Sequence, residues 1–347
     1  MNRLPALLAS IEPTDERFAT MAEERHNGLA KPPGSLGRLE RLGARLSAID
    51  RSCPPPAVER PGLLIAAGDH GVHVHGVSPW PQEITTLMIE NFCSGRASAN
   101  AIASACGVDV AVLDAGAVRP PAPHRMLSAA DVRNGTADLR TEPAMTETEC
   151  TGAILAGAAL ADRMVDAGVG LLALGDMGIA NTTPSAALIA AYTGERPERV
   201  TGRGTGIDDA TLARKVDVVA DALDRHGPDR DPLGVLASLG GLEHAALAGA
   251  ALAAAARRLP VVLDGVNTVA AALAAAALCP TVTGYLIAGH RSVEPGASIG
   301  LAHLGLEPLL DLELRLGEGT GALLAIPVIR SAAAVLRDVA GLDELGA

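Results

Sequence analysis

Aromatic residues are almost missing from this chain: its 347 residues include one Trp, two Tyr and two Phe. A core without rings must be built from Ala, Leu, Val and Ile, as in closely packed α/β layers. Lysine is nearly absent too, with only Lys31 and Lys215 among 28 basic residues. Where Lys persists in an Arg-dominated chain, a compact ammonium is needed rather than a planar guanidinium. Five scattered cysteines, an odd number with no C-x-x-C pair, exclude a disulfide framework and suit a reducing cytosol. No basic-then-apolar leader is present, and the longest Ala/Leu runs, 245–256 and 269–279, fall short of the roughly 20 residues of a membrane span. A cytoplasmic chain without a membrane segment is therefore expected. Positive charge is in deficit as well: a net charge of −12 argues against a nucleic-acid partner, whose phosphates require a basic face. One small anion held locally is still compatible with that balance.

What the chain does have is a repeated theme, in which a short apolar run ends in Gly with Asp or His and a helical pattern follows. Residues 63–67 run into Gly68-Asp69-His70-Gly71, 108–113 into Asp114-Ala115-Gly116, and 171–174 into Gly175-Asp176-Met177-Gly178. Residues 261–263 run into Asp264-Gly265, and 285–288 into Gly289-His290. Runs that are apolar throughout rather than alternating indicate strands buried on both faces of a parallel sheet. The fold class is thus α/β, a Rossmann-like parallel sheet flanked by helices. Ligands of such sheets bind beyond the carboxyl ends of the strands, which makes Asp69, Asp176, Asp264 and His290 candidate site residues. The competing reading is that each caps the helix after its own strand.

The two chain ends read differently. Residues 1–30 are helical in pattern, with Leu7, Leu8, Ile11, Phe18 and Met21 among charges, and K-P-P-G-S-L-G at 31–37 forms a rigid bend. Ser35 is placed to cap the next helix, whose Leu36, Leu39, Leu42, Leu46 and Ile49 recur at helical spacing. C-P-P-P at 53–56 closes this segment, and a final helix over about 328–342 pairs with it. The expected division is a small helical domain, 1–58 plus 328–347, and a large α/β catalytic domain, 59–327.

The stretch D-L-E-L-R-L-G-E-G-T-G-A, 311–322, sets Glu318 between two glycines. Gly317 and Gly319 admit positive φ and close approach of a ligand, so the carboxylate is presented from a tight loop. That loop interrupts an apolar run, Leu312, Leu314 and Leu316 before it and Leu323, Leu324 and Ile326 after, where burying a charge is costly without a purpose. A surface turn with a solvated glutamate is the plainer alternative. The stretch also fits G-x-G-x-x-A, but a dinucleotide unit needs another strand and an acidic residue about 20 positions on. Only 25 residues follow Ala322, so that reading fails.

Two further loops are rich in glycine and hydroxyls. G-D-M-G-I-A-N-T-T-P-S-A-A, 175–187, leads straight into an Ala-rich helix, whose N-terminus is a ready anion site. T-G-R-G-T-G-I-D-D, 201–209, precedes a helix carrying Lys215. Neither has Walker or Rossmann spacing, which points to a single phosphate monoester rather than a nucleotide triphosphate. His70, His73 and His75 resemble a ligand cluster, but no Cys or further His lies at ligand spacing, so neither metal nor cofactor is expected. Trp80, in the segment 76–92, reads either as the wall of a pocket for a flat aromatic ligand or as ordinary core.

Taken in order, K-P-P-G-S-L-G, G-D-H-G-V, V-S-P-W-P-Q-E-I-T, L-G-D-M-G-I-A-N-T-T, G-R-G-T-G-I-D-D, L-D-G, A-G-H-R-S-V-E-P-G and L-R-L-G-E-G-T-G-A resemble the nicotinate mononucleotide:dimethylbenzimidazole phosphoribosyltransferases, the CobT type, over residues 15–335. The resemblance implies transfer of phosphoribose from nicotinate mononucleotide to 5,6-dimethylbenzimidazole, giving α-ribazole 5'-phosphate and nicotinate for the cobalamin lower ligand. It also implies a homodimer, with a Rossmann-like large domain and a small helical one. Glu318 falls on the family's general base, and Asp176 on a second acidic position near the ribose. Gly178, Asn181, Thr182, Thr183, Gly202, Arg203, Gly204, Thr205 and Lys215 match phosphate-binding parts, with Asp264 and Ser292 beside them for phosphate and ribose. Ser78, Trp80, Leu87, Met88, Met177 and Leu316 fall to the base pocket.

The sequence departs from the family pattern at Leu87, Arg96 and Ala180, where Gln, Gly and Gly are usual. Loss of the Gln amide bears on which base is accepted more than on the chemistry. The same transfer to a different base, another phosphoribosyl or nucleotide enzyme on this scaffold, and a non-catalytic nucleotide-binding relative are the alternatives. An intact G-E-G-T-G loop counts against the last of these.

Overall fold

The computed structural model describes residues 3–227 and 231–345. Among the described residues, six strands form one all-parallel sheet: β1 (Pro61–Gly68), β2 (Asp109–Gly116), β3 (Leu127–Ala129), β4 (Leu171–Met177), β5 (Val261–Leu263) and β6 (Leu286–Ala288). Their order is β3-β2-β1-β4-β5-β6, so the winding reverses between β1 and β4. Five of the six follow the apolar runs of the sequence. β3 was not foreseen, because a three-residue edge strand that is partly exposed carries no periodic signal.

Alternate residues of β1 enter opposite cores. Leu64 and Ala66 pack with the helices Glu147–Asp166 and Leu242–Ala256, whereas Leu63, Ile65 and Ala67 pack with Ala322, Ile326 and Ile329 of the helix Thr320–Asp338. The shortage of rings has a structural counterpart. A Cβ on Gly157 would collide with the Ala246 carbonyl, and one on Gly249 with the Ile154 carbonyl. The first two helices therefore touch backbone to backbone, with no room for aromatic side chains.

At the chain ends, the helices Glu16–Gly28 and Arg38–Asp50 meet the last helix through Ala22, Ala44 and Leu336. Ser35 does not cap the helix Arg38–Asp50, as its sequence position suggests; Gly37 at φ 54° occupies the cap position and no side chain bonds there. The final helix begins at Thr320 rather than near 328, because Pro327 lies inside it instead of breaking it. A division at 327/328 thus falls within one continuous helix, and residues 1–2 and 346–347 of the smaller unit lie outside the described residues. This helix is long and apolar enough to cross a membrane by length and composition, although neither run flagged in the sequence includes it. Its apolar face is buried in the second core.

Candidate active site

β4 ends at Met177, a turn carries the chain through Gly178 and Ala180, and the helix Thr182–Thr193 starts with Asn181 as its cap residue. Beyond these strand ends lies a cleft. Its anion-friendly side holds Lys215, Thr182, Arg203, Gly204 and Thr205. Lys215 is buried, and its Nζ donates to Thr182 Oγ1 at 2.7 Å and to the Gly202 carbonyl at 3.0 Å. An ammonium has three donors, so one is left for a ligand. Burial lowers its pKa to about 8 against the opposing charge of Glu294. The N-terminus of the helix Thr182–Thr193 adds its partial positive charge to the same side.

The acidic side is formed by Asp176 and the loop that carries Glu318. Asp176 is buried, and its Oδ2 accepts N–H donors from Asn267 at 2.6 Å and Asn181 at 2.9 Å. Its Oδ1 has no hydrogen-bond partner among the described residues, although Asp176 lines the cleft. Burial, followed by the nearby Asp264 charge, pushes its pKa up to about 7. A Cβ built on Gly317 would lie 3.4 Å from Asp176 Oδ2, so the loop rests against this carboxylate.

Gly317, Glu318 and Gly319 take φ values of 86°, 63° and 89°, three consecutive residues in the left-handed region. Glu318 is buried, and its Oε2 accepts the Ala99 N–H at 3.0 Å. Burial raises its pKa, the Ala99 bond lowers it, and Asp264 raises it again, with a net upward shift. Gly317 lines the cleft, whereas Glu318, the next residue, is not among its lining residues.

Of the other residues singled out in the sequence, Ser78, Met177, Gly178, Asn181, Ser292 and Leu316 also line the cleft. Asp264 does not. The sequence groups it with phosphate and ribose, but its carboxylate is occupied by the N–H groups of Gly319 at 3.1 Å, Gly321 at 2.7 Å and Ala322 at 3.1 Å. It therefore caps the helix Thr320–Asp338 rather than the one after its own strand, and pins the Glu318 loop. Gly202 stands behind the cleft, where its carbonyl takes Lys215 and a Cβ would collide with Glu294. Thr183 is buried in the first turn of its helix, outside the lining.

Trp80, Leu87 and Met88 are not brought to the cleft in the single chain. On the helix Glu83–Cys93 the buried face is Thr85, Ile89, Phe92 and Cys93, which leaves Leu87 on the opposite side at 56% exposure. Met88 packs half-buried against the second core, and Trp80 is 51% exposed, so it is neither cleft wall nor core. The three clustered histidines go separate ways: His70 faces Glu243 at 2.9 Å, His73 the Trp80 carbonyl at 2.8 Å, and His75 Asp138 at 2.7 Å.

Two site residues escaped the sequence reading. Glu294, in the quoted A-G-H-R-S-V-E-P-G stretch, accepts the Gly204 N–H at 2.8 Å and supplies the charge that faces Lys215. An acid just before a Pro-started helix was the available signal. Asn267, inside an Ala-rich helix, gave none, since its importance arises only when β4 and β5 become neighbours.

A Rossmann-ordered sheet with an anion pocket and two carboxyl groups at its strand ends defines an α/β enzyme that handles a phosphorylated small molecule. A phosphoribosyltransferase family model matches residues 11–346, and the chain belongs to that family. It is 53% identical to the nicotinate-nucleotide–dimethylbenzimidazole phosphoribosyltransferase of Salinispora tropica, over 97% of each chain. It is 48% identical to the enzyme of the same name from Chloroflexus aurantiacus, covering 100% of this chain and 99% of that one. The crystal structure of CobT from Thermus thermophilus superposes with a TM-score of 0.93 at 46% identity, over 95% of this chain and 98% of that one.

Proposed function

We propose that the chain transfers phosphoribose from nicotinate mononucleotide to 5,6-dimethylbenzimidazole, releasing nicotinate and forming α-ribazole 5'-phosphate, a step in assembly of the cobalamin lower ligand. The observation that carries this reading is the meeting, in one cleft, of the Lys215 anion side with Asp176 and the Glu318 loop. The phosphate belongs beside Lys215 and the helix N-terminus, with the ribose between it and Asp176, whose unpartnered Oδ1 suits a ribose hydroxyl.

Nicotinate is a good leaving group because its ring nitrogen is already cationic when bonded to C1′. A neutral nitrogen of the base attacks C1′ from the face opposite nicotinate, which turns a β substrate into an α product. As that bond forms, the other ring N–H becomes acidic and Glu318 takes its proton. Such general-base assistance contributes about 10²–10⁴-fold. The raised pKa of a buried carboxylate suits it to that task.

The helices at both chain ends, joined through Ala22, Ala44 and Leu336, are read as a small helical domain, and the enzyme as a cytoplasmic homodimer. Light scattering on the purified chain tests the dimer. The reaction itself is tested by following nicotinate release with dimethylbenzimidazole, other benzimidazoles, purines and phenols. Release should require a base and be fastest with a benzimidazole; equal release without any base would contradict the assignment.

A further inference from the structure

Behind the cleft floor lies a group of buried polar residues that the transfer itself does not use. Glu243, in the first turn of the helix Leu242–Ala256, is fully buried, with His70 Nε2 at 2.9 Å and His244 Nδ1 at 3.0 Å from its Oε1. Burial works against its charge, but the two imidazoles more than offset this and hold its pKa well below the usual carboxylate range. From His244 a chain of contacts leads forward. Its Nε2 lies 2.7 Å from Ser185 Oγ, which lies 2.6 Å from Asn267 Oδ1, and Asn267 Nδ2 lies 2.6 Å from Asp176 Oδ2. Every member is buried.

Counting protons fixes the direction of this chain. Asn267 donates to a carboxylate oxygen, so it turns its own carbonyl toward Ser185. Two oxygens 2.6 Å apart repel unless a proton lies between them, and the only one available is the Ser185 hydroxyl proton. With that proton committed, Ser185 Oγ must accept from His244 Nε2, which therefore carries hydrogen. Each donor then points toward Asp176. A carboxamide is nearly the same shape when flipped, so only its partners tell Asn267 which end to present. Flipped, it would set its oxygen against Asp176 Oδ2.

We propose that His244 is a positioning residue for the transfer: through Ser185 it locks the Asn267 amide with its N–H toward Asp176, and so holds the unpartnered Oδ1 of Asp176 in place for the ribose. The proposal rests on the reading of Asp176 as a ribose-facing group. The sequence signal was slight, since Ser185 reads as one more small residue in an Ala-rich helix and His244 as a core histidine.

The test is steady-state kinetics on Ser185→Ala, His244→Gln and His244→Asn, with Ser185→Ala repeated in an Asp176→Asn background and Tm measured for each. Ser185→Ala should lower kcat/KM about tenfold, the scale of one misdirected buried hydrogen bond. His244→Gln places an amide N–H where Nε2 stood and should stay within about threefold of wild type, while His244→Asn, which reaches only the Nδ1 position, should fall with Ser185→Ala. In the Asp176→Asn background Ser185→Ala should cost less than about twofold, because the group it positions is gone. A merely structural role would give the same factor in both backgrounds, and that result, or wild-type kcat/KM in Ser185→Ala, overturns the proposal. Wild-type rates in Asp176→Asn would instead overturn the reading of Asp176 beneath it. Should His244→Asn fail to fold, the Ser185→Ala cycle, which removes a single buried oxygen, still decides.

Discussion

Glu318 Oε2 accepts the backbone N–H of Ala99 at 3.0 Å, which joins the last loop of the sheet to the first turn of the helix Ser98–Cys106. The contact lowers the cost of a buried charge by giving it an N–H that a helix N-terminus otherwise leaves unpaired. Its backbone is less comfortable: a non-glycine residue in the left-handed region costs about 1–2 kcal/mol. The three N–H groups that Asp264 accepts along the same loop hold it there.

Asp264→Asn keeps the size of that anchor but turns an NH₂ group toward backbone donors. It should lower Tm and cut kcat by at least about tenfold, while KM for nicotinate mononucleotide moves little. Thermal melts with initial-rate kinetics check this. A large KM effect at unchanged kcat would return Asp264 to the phosphate and ribose group.

Asp176 makes a stability prediction with a definite sign. Its folded pKa, about 7, lies above the ordinary 3.8, so the folded state holds this proton more tightly. The associated stability is fully present below the unfolded value and is lost as pH rises through about 7. Asp176→Asn has no proton to lose and fits the two amide donors on Oδ2. Its Tm should exceed that of wild type at pH 8, with the gap closing toward pH 4. A gap independent of pH would mean that the carboxyl is not held protonated by its surroundings.

Lys215 should govern substrate affinity. Lys215→Ala is expected to raise KM for nicotinate mononucleotide by one to two decades, the loss of a charge-assisted bond of about 1.5–3 kcal/mol. In the wild type KM should climb as pH passes about 8, where the free-enzyme ammonium loses its proton. A flat KM through that range would remove Lys215 from the phosphate site.

Ala180 takes φ 73° in the turn after β4, a left-handed backbone that favours glycine. Ala180→Gly should relieve the strain and raise stability by about 1 kcal/mol, after allowing for the extra freedom of glycine in the unfolded chain. Denaturant melts measure it, and a lower midpoint would contradict the argument.

The strands β1, β2, β4, β5 and β6 were legible because residues buried on both faces leave uninterrupted apolar runs. Lys215 stood out by scarcity and Glu318 by its flanking glycines. Other features depended on partners remote in sequence. Asp264 looked like a site residue because it ends a strand, yet its three partners lie 55 to 58 residues further on. Leu87 and Trp80 were assigned by motif, which does not say which helix face turns outward. Asn267 and Ser185 resemble filler within Ala-rich helices until packing places them in line with Asp176.

The pH dependence of kcat, measured with saturating nicotinate mononucleotide and dimethylbenzimidazole for wild type and Glu318→Gln, tests the account most directly. Burial raises the Glu318 pKa, so wild-type kcat should decline on the acid side as the carboxylate protonates and ceases to accept a proton. Glu318→Gln keeps the size of the side chain but cannot take that proton. Its kcat should fall by about 10²-fold or more and lose the acid limb, while binding of the base survives. Near-normal kcat with the wild-type limb intact would make the G-E-G loop structural and move the base elsewhere, with Asp176 the first residue to examine.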